Sequence, residues 1–372
     1  MNYKYLSSLI KTNFLFWLSR KINYPLVPPD LVQINFTFDC NLRCKMCSMH
    51  NQMGFLKKQG KRVEINSQTM KKIIKETRAL GTRTVLFIGG EPLLKDDLFD
   101  LIAFTKSLGL SPIIVTNGVM LNKENIEKCF ESGVEWLSIS IDAASEETFA
   151  KVRGEKVFGR ITENIRLLNS MKDERGLEFP KVVSVCTIMD DNIEELMGVV
   201  ELGRELRIER IILQPVVANN IDQTQRDKTF PGFIPKERLK IMDEVIDRLI
   251  EYKESSPENF SFIANSVRML NLVRKYFKGK MRPKDLPCYA GYNRLQVIQE
   301  GKVYFCVDQN KYVANFGDVD KDAIKSLWYS PKAAFYRKLI RRCNFPCLQW
   351  CSYRDSFTEV SDLFWKKILF KK

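Results

Sequence analysis

From residue 31 onward, short apolar segments alternate with longer segments of helical periodicity, and this alternation limits the fold more than any other feature. Six apolar segments have the length of buried strands: VQINFTF (32–38), TVLFIGG (84–90), SPIIVTNG (111–118), VEWLSISID (134–142), KVVSVCTI (181–188) and ERIILQP (209–215). Between them lie helical stretches near 67–80, 97–109, 122–131, 160–173 and 192–206. Repeated βα units of this kind predict a parallel sheet in an α/β fold.

The number of predicted strands indicates what kind of barrel the sheet forms. Six βα units fit a partial (β/α)6 TIM-like barrel better than the full eightfold barrel. Barrels of parallel strands carry their chemistry where strands end and loops begin. Three polar or cysteine-containing segments follow the first three strands, namely a cysteine cluster, GGEP (89–92) and TNG (116–118). We therefore expect these segments to meet at one end of the barrel.

The cluster after the first strand places Cys40, Cys44 and Cys47 in the spacing C-x3-C-x2-C. A structural zinc site needs four ligands, and the only histidine of the chain, His50, would have to complete it. A [4Fe–4S] cluster contains four irons that are normally held by four thiolates. Three cysteines would leave one iron open to a small molecule. The spacing therefore favours a cluster with an open iron over zinc.

The cysteine spacing, together with GGEP, TNG and SISID (138–142) in that order, resembles the signature of radical SAM enzymes. In that family the open iron binds the amino and carboxylate groups of S-adenosylmethionine. Reduction of the cluster, by an external donor such as flavodoxin or ferredoxin, gives methionine and a 5′-deoxyadenosyl radical that abstracts a substrate hydrogen. The resemblance covers residues 31–215 and implies an enzyme, a radical SAM oxidoreductase or a related radical catalyst.

The resemblance also implies which residues contact the cofactor. The glycines of GGEP are expected to let backbone groups approach the methionine amino group. The guanidinium of Arg153, in KVRG, is expected at the cofactor's carboxylate, since its fork suits that planar anion. Met46 stands where the family often has an aromatic residue. The full expected set is Met46, Gly89, Gly90, Glu91, Thr116, Asn117, Ser140, Asp142 and Arg153.

A second group of cysteines lies near the C-terminus. NRLQVIQEGKVYFCVD (293–308) predicts a β-hairpin that turns at Glu300–Gly301 and brings Cys288 near Cys306. This pattern resembles the opening of the SPASM and twitch domains, which bind auxiliary iron–sulfur clusters. The remaining cysteines are Cys343, Cys347 and Cys351.

The five C-terminal thiols cannot fully ligate two four-iron clusters. The resemblance therefore implies one auxiliary [4Fe–4S] cluster, held by Cys288, Cys306 and two of the last three cysteines. A zinc knuckle made by four of the five is the alternative. Asp308 is a candidate base near this site, although an exposed hairpin aspartate is the simpler interpretation. Cys129 and Cys186 are expected to be free and buried.

Changes in composition divide the chain into five segments. These are an amphipathic basic segment (1–30), the barrel (31–256), a basic connecting segment (257–284), the cysteine-rich SPASM/twitch-like domain with its β-hairpin (285–355) and a basic amphipathic tail (356–372). The two ends are expected to dock onto the barrel, or else to lie at a membrane interface. The N-terminus has neither a secretory signal nor a spanning apolar run, which predicts a cytoplasmic protein with at most peripheral membrane contact.

The net charge of the chain indicates which classes of partner and substrate to expect. The chain has 59 Lys and Arg against 45 Asp and Glu, a net charge of +14, which favours an anionic partner. No RNA-binding motif is visible, so nucleic acid is disfavoured. We expect a small or anionic substrate, with sugar- or lipid-linked molecules included. The alternatives are a non-catalytic iron–sulfur or zinc protein for electron transfer or partner binding, and a peptide-modifying maturase. Only some thirty residues precede the first strand, which counts against a peptide substrate.

Overall fold

The structure is a computed structural model that describes residues 3–47, 64–217, 233–282, 284–306, 315–343, 347–350 and 353–354. The candidate base Asp308, the candidate ligands His50 and Cys351, and the tail 356–372 lie outside the described residues. Within them, no helix is long and apolar enough to cross a membrane.

The described strands form one continuous sheet in the order β6-β5-β4-β3-β2-β1-β7-β8-β9. The strands are β1 Leu31–Asn35, β2 Thr84–Ile88, β3 Ser111–Thr116, β4 Trp136–Ser140, β5 Lys181–Ile188, β6 Arg210–Pro215, β7 Arg294–Ile298, β8 Lys302–Tyr304 and β9 Gly317–Asp318. The first six pair in parallel, each with its neighbour in sequence. The six predicted strands and the partial barrel are confirmed.

Helices connect the strands and flank the sheet. They are α1 Tyr3–Ile22, α2 Ser67–Leu80, α3 Leu98–Ser107, α4 Lys123–Ser132, α5 Glu146–Arg153, α6 Phe158–Arg175, α7 Leu196–Glu205, α8 Leu239–Glu254, α9 Pro257–Phe262, α10 Val267–Phe277, α11 Ile324–Trp328 and α12 Pro331–Arg341. Local signals fix several ends. The side chain of Asn66 caps α2 by accepting from the Thr69 amide at 2.8 Å, and Gly81 ends this helix with a φ of 93°.

The predicted hairpin forms and joins the barrel. Strands β7 and β8 are antiparallel, with Gln296 opposite Tyr304, and Gly301 turns between them with a φ of 74°. Strand β7 also pairs in parallel with β1, placing Arg294 opposite Leu31. The cysteine-rich segment therefore extends the barrel sheet instead of folding beside it, and it covers the β1 edge, which would otherwise expose unpaired backbone groups.

The two faces of the barrel strands have different surroundings. Leu137 and Ile139 of β4 are fully buried. A Cβ placed on Gly118 would meet Ile139 and Ile161 of α6 at 3.1 Å, so this face packs on the helices. The alternate residues, such as Ser138 and Ser140, therefore lie on the inner face of the barrel.

The N-terminal helix docks on the C-terminal segment. The Arg20 Nε donates to the carbonyl of Cys288 at 3.0 Å, and the Asn23 amide donates to the carbonyl of Ala334 at 3.0 Å. The Tyr292 hydroxyl donates to Asn23 at 3.0 Å. Docking of this end is as expected, but these contacts are with the cysteine-rich segment and α12, whereas the sequence predicts the barrel as the partner.

Candidate active site at the carboxyl end of the barrel

The cysteine loop, residues 39–47, follows β1 and lies against the loop that follows β2. The amide of Gly90 donates to the carbonyl of Thr37 at 2.8 Å, and the amide of Glu91 donates to the carbonyl of Asp39 at 2.7 Å. Both bonds join backbone to backbone. The GGEP turn therefore supports the start of the cysteine loop directly.

The two glycines of this turn allow that close approach. A Cβ on Gly89 would lie 2.4 Å from the carbonyl oxygen of Thr37, and one on Gly90 would lie 2.0 Å from that of Asp39. Any side chain there would collide with the backbone of the loop. The glycines therefore allow the turn to contact the cysteine loop, and the approach of its backbone groups to the methionine amino group stays a prediction.

Glu91 joins the ends of β2 and β3 from a fully buried position. Its carboxylate accepts from the Thr116 hydroxyl at 2.7 Å, from the Asn117 amide at 2.8 Å and from the Leu93 amide at 3.0 Å. Burial raises the pKa of Glu91, although these donors oppose the shift. The Asn117 side chain then donates to Asn41 of the cysteine loop at 2.8 Å. Glu91, Thr116 and Asn117 thus act together as a scaffold for the loop.

Arg153 lies beneath the loop in an ion pair with Asp142. Both are shielded, since the side chains are 11% and 0% exposed. Two guanidinium nitrogens of Arg153 contact one Asp142 oxygen, and the other oxygen accepts from the Thr187 amide at 2.6 Å. Burial disfavours the charged form of Arg153, but the charges of Asp142 and Cys44 outweigh it and raise the pKa of Arg153. The Asp142 carboxylate is occupied by these contacts, and its observed effect is to orient Arg153.

The three thiols of the loop form one electrostatic group. Burial is the main cause of the raised pKa of Cys40, and the nearby charges of Glu91, Cys44 and Cys47 raise it further. The Leu42 amide donates to the Cys40 sulfur at 3.4 Å, and Arg153 donates to the Cys44 sulfur at 3.5 Å.

Three thiols, of which Cys40 and Cys44 accept N–H bonds at sulfur, fit an iron–sulfur cluster, whose potential depends on such hydrogen bonds. Within the described ranges, no three Cys, His, Asp or Glu side chains lie close enough together to hold a single metal ion.

Met46 and Ser140 border the same end of the barrel. Met46 is half-buried and packs against the core. Ser140 is the last residue of β4, lies opposite Val185 and is also half-buried. Their contact with the cofactor stays a prediction.

The inner face also has a polar wall that sequence reasoning missed. Gln33 and Asn35 of β1 are each 8% exposed, and Arg294 and Gln296 of β7 are each 1% exposed. Gln33 pairs with Gln296 in register and donates to Asn35 at 3.1 Å. With its amide oxygen turned toward Arg294, Gln296 accepts from that guanidinium at 3.0 Å. Polar residues at alternate positions of otherwise apolar strands were the available signal.

The C-terminal cysteines lie around the hairpin. Cys288 precedes β7, Cys306 follows β8 and Cys343 follows α12. Burial raises the pKa of Cys288 to about 12, and the charges of Cys306 and Cys343 add to the shift. Cys347 is half-buried, and Cys351 lies outside the described residues.

The two remaining cysteines belong to the core. Cys129 of α4 and Cys186 of β5 are free and fully buried, as the sequence predicts. Burial raises the pKa of Cys129 to about 12 and also raises that of Cys186.

Comparison with protein families matches this arrangement in two parts. The model of the radical SAM superfamily matches residues 34–203, and that of the SPASM iron–sulfur cluster-binding domain matches residues 288–353. Similar curated proteins include the AdoMet-dependent heme synthase of Methanosarcina barkeri, 32% identical over 179 residues, or 48% of each chain. The chain therefore spans about half of that relative. The probable GTP 3′,8-cyclase of Saccharolobus solfataricus is 26% identical over 299 residues, 79% of this chain and 88% of that one.

Solved structures share the fold at lower identity. SuiB of Streptococcus suis bound to S-adenosylmethionine has a TM-score of 0.62 and 16% identity, and the match covers 96% of this chain and 83% of that one. The structure of anSMEcpe with bound AdoMet has a TM-score of 0.62 and 15% identity, with 92% and 98% covered. The chain belongs to the radical SAM superfamily, as an enzyme that uses S-adenosylmethionine and a [4Fe–4S] cluster for radical chemistry and has a C-terminal SPASM domain for an auxiliary iron–sulfur cluster.

Proposed function

We propose that this enzyme removes a hydrogen atom from a small or anionic substrate, with sugar- or lipid-linked molecules included, held inside the barrel. The polar wall formed by Gln33, Asn35, Arg294 and Gln296 is the observation that carries this proposal. Amides bind hydroxyl groups, and a guanidinium binds phosphate or carboxylate in a fixed, often bidentate geometry. Beside this wall, Leu86 and Ile88 of β2 and Ile113 of β3 follow in register on the same face, so the polar groups are flanked by an apolar surface that can exclude water.

The residues around the first cysteine group would have three functions, which are to bind the cluster, to contact the cofactor and to support the cysteine loop. Cys40, Cys44 and Cys47 would hold the radical cluster, and Arg153 would be oriented by Asp142 toward it and toward the cofactor's carboxylate. When bound, the cluster and S-adenosylmethionine supply the 5′-deoxyadenosyl radical. Met46 and Ser140 would border the cofactor. Gly89, Gly90, Glu91, Thr116 and Asn117 would act mainly by fixing the cysteine loop.

The C-terminal half would contribute the second cluster. Cys288, Cys306 and two of Cys343, Cys347 and Cys351 would hold one auxiliary [4Fe–4S] cluster in the segment from 285 to 355, with Asp308 as the candidate base. Electrons would come from an external donor such as flavodoxin or ferredoxin. We place the enzyme in the cytoplasm, in peripheral contact with a membrane.

A peptide substrate is the competing proposal. SuiB has been solved with its precursor peptide SuiA, and anSMEcpe with a peptide, but at 15% and 16% identity these likenesses concern the fold. A peptide would place main-chain amides against the polar wall and would gain little from the buried Arg294. A phosphorylated substrate would depend on that cation.

Deuterium transfer tests the proposal. Anaerobic enzyme, dithionite and S-adenosylmethionine are incubated with deuterated sugar phosphates, sugar diphosphates or peptides, and 5′-deoxyadenosine is analysed by mass spectrometry. We expect deuterium only from an anionic small molecule, and Arg294→Gln should lower this transfer while leaving substrate-free cleavage of S-adenosylmethionine unchanged. Arg210→Gln is the control, because Arg210 is exposed at the start of β6, which five other strands of the sheet separate from β7. Transfer from peptides alone would contradict the proposal.

A further inference from the structure

Helix α1 has an apolar face that the described chain leaves exposed. Ile10, Phe14 and Trp17 follow each other at helical spacing and are 43%, 45% and 41% exposed. The rings of Phe14 and Trp17 stack with their centroids 5.8 Å apart. Phe16 and Ser19, on the opposite face, are buried. The helix therefore packs on the protein through one face and presents a second apolar face outward, which is typical of an interaction surface.

A cationic cleft lies at the C-terminal end of this helix. It has a volume of about 470 Å³ and is lined by Arg20, Asn23, Lys338, Arg341 and Arg342. The amide of Asn23 donates to the carbonyl of Ala334, so α1 and α12 are joined directly beside the cleft. Four positive side chains therefore converge on one opening.

The charge of this cleft is not balanced by described carboxylates. In the parts of the chain that the structure covers, Arg20, Lys338, Arg341 and Arg342 form no ion pair. Behind them, Arg337 is 1% exposed and donates to the carbonyls of Gly291 and Trp328. Arginine is seldom buried without an acidic partner. The cleft is thus a region of positive potential suited to an anion from outside.

Helix α12 continues the aromatic character of α1. Phe335 is 57% exposed, and Lys338 and Arg342 follow it at positions i+3 and i+7 on the same exposed face. On α1, the Lys21 ammonium lies 5.7 Å from the Trp17 ring centroid. Each helix therefore presents aromatic rings next to basic groups.

We propose that α1 and α12 together form a docking surface for an anionic phospholipid membrane. Lipid phosphates enter the cationic cleft, and Phe14, Trp17 and Phe335 insert among the headgroups. Aromatic rings beside basic groups suit the interface of an anionic bilayer. An acidic redox protein would match the charge but would leave these exposed apolar side chains unexplained. The inference specifies the peripheral contact proposed above and is independent of the radical chemistry.

Vesicle flotation tests this surface. Anaerobically purified enzyme is mixed with vesicles of phosphatidylcholine alone, or of phosphatidylcholine and phosphatidylglycerol in equal parts. We expect flotation only with the anionic vesicles. The double variant Lys338→Gln/Arg342→Gln should weaken partitioning by about fivefold for each charge removed, the loss typical of one basic residue at an anionic surface. Phe14→Ser/Trp17→Ser should weaken it at least as much.

Matched controls separate docking from general surface properties. Lys240→Gln removes a charge that is 89% exposed, and Leu177→Ser removes an apolar side chain that is 40% exposed, both outside the surface. Neither should change flotation. Formation of 5′-deoxyadenosine in solution with dithionite should be the same in every variant, so loss of docking is distinguishable from loss of folding or chemistry.

Several outcomes would overturn the proposal. Absence of flotation with anionic vesicles would remove the membrane as the occupant. Flotation that both double variants retain would move the contact to another part of the chain. Tight binding of inorganic pyrophosphate that depends on Lys338 but not on Phe14 would make the cleft a site for a free anion. Saturable binding of an acidic flavodoxin that depends on the same cations, without vesicle binding, would make it a protein interface.

Discussion

The two cysteine groups are built in different ways. Cys40, Cys44 and Cys47 lie in one short loop, which is joined to the ends of neighbouring strands by hydrogen bonds. The C-terminal thiols come from separate elements, with Cys288 before β7 and Cys343 after α12. The first group is therefore a local motif on a preformed scaffold. The second depends on the assembly of a hairpin, a helix and a following loop.

The barrel and the C-terminal segment each contain a buried arginine, and the two arginines are stabilised in different ways. Arg153 has the carboxylate of Asp142 as its counter-ion. Arg337 has no acidic partner among the described residues and lies instead among the rings of Trp328, Phe305 and Tyr292, with its guanidinium carbon 4.5 to 5.8 Å from their centroids. Burial lowers the pKa of Arg337 to about 10. The barrel thus fixes its arginine by charge pairing, and the C-terminal segment does so by cation–π contact and carbonyl acceptors.

The largest expected effect comes from removing the three thiols of the first cysteine group. The triple variant Cys40→Ala/Cys44→Ala/Cys47→Ala should form no 5′-deoxyadenosine, and iron should fall from about eight to about four per chain, given four irons per cluster. Its unfolding temperature should change little because the loop is held by other bonds. Iron analysis, cleavage of S-adenosylmethionine and thermal unfolding under anaerobic conditions measure these quantities.

The double variant Cys288→Ala/Cys306→Ala removes two thiols of the second cysteine group and is compared with the triple variant. It should also lose about four irons, but it should lower the unfolding temperature, because metal binding that joins separate segments is coupled to their folding. About four irons plus one zinc in the unmutated enzyme would contradict the auxiliary cluster. Equal destabilisation by both sets of variants would contradict the difference between local and assembled sites.

The next effect tests charge pairing beneath the first group. Asp142→Asn leaves Arg153 buried without a counter-ion and should cost about 3–5 kcal/mol of the free energy of unfolding. Adding Arg153→Met should restore much of the loss, since replacing both charges by less polar groups is often nearly neutral. Denaturant unfolding measures both. As a control, Asp173→Asn breaks an ion pair whose side chains are 57% and 61% exposed and should leave the free energy of unfolding nearly unchanged.

A smaller effect tests the scaffold itself. Gly90→Val would place side-chain atoms against the carbonyl of Asp39, which lies 2.0 Å from an ideal Cβ. Overpacking of this kind costs about 1–3 kcal/mol, and displacement of the loop should remove iron from the first cluster alone. Gly159→Val is the control, because its Cβ would lie 4.0 Å from the nearest atom. Retention of all iron with weaker binding of S-adenosylmethionine would instead support the cofactor role that the sequence predicts for Gly90.

Strand periodicity and local motifs were readable from the sequence, whereas contacts between distant segments were not. The strand 181–188 was predicted with the bounds that the structure shows for Lys181–Ile188, because buried and half-buried residues alternate through it. The close approach of Gly90 to the carbonyl of Asp39 could not be read, since the two residues are about fifty positions apart in the chain. The pairing of β7 with β1 is likewise a contact between distant segments. This pairing places Arg294 and Gln296 beside Gln33 and Asn35, which together form the polar wall.

The smallest expected effect concerns an ion pair that ties the middle of the cysteine loop to the far side of the barrel. The Lys45 ammonium lies 2.7 Å from Asp191, which is 5% exposed and also contacts Lys151 at 3.0 Å. A cycle of Lys45→Met and Asp191→Asn should give a coupling energy of at most about 1 kcal/mol, since both lysines are partly exposed. Because this pair adds to a scaffold that is already held by backbone bonds, iron content should stay unchanged.

The pH dependence of that coupling has a defined sign. Burial of Asp191 favours its neutral form, but Lys45 and Lys151 outweigh burial, and the pKa of Asp191 is lowered. A carboxyl group with a lowered pKa stabilises the fold above its unfolded pKa of about 3.9 and loses that contribution as the pH falls through the folded pKa. The coupling measured by denaturant unfolding should therefore be constant from neutral pH down to about pH 5 and decline only below about pH 4. A decline that begins near neutrality would show that Asp191 does not hold the loop through its charge, and the backbone bonds to Gly90 and Glu91 would then account for the attachment by themselves.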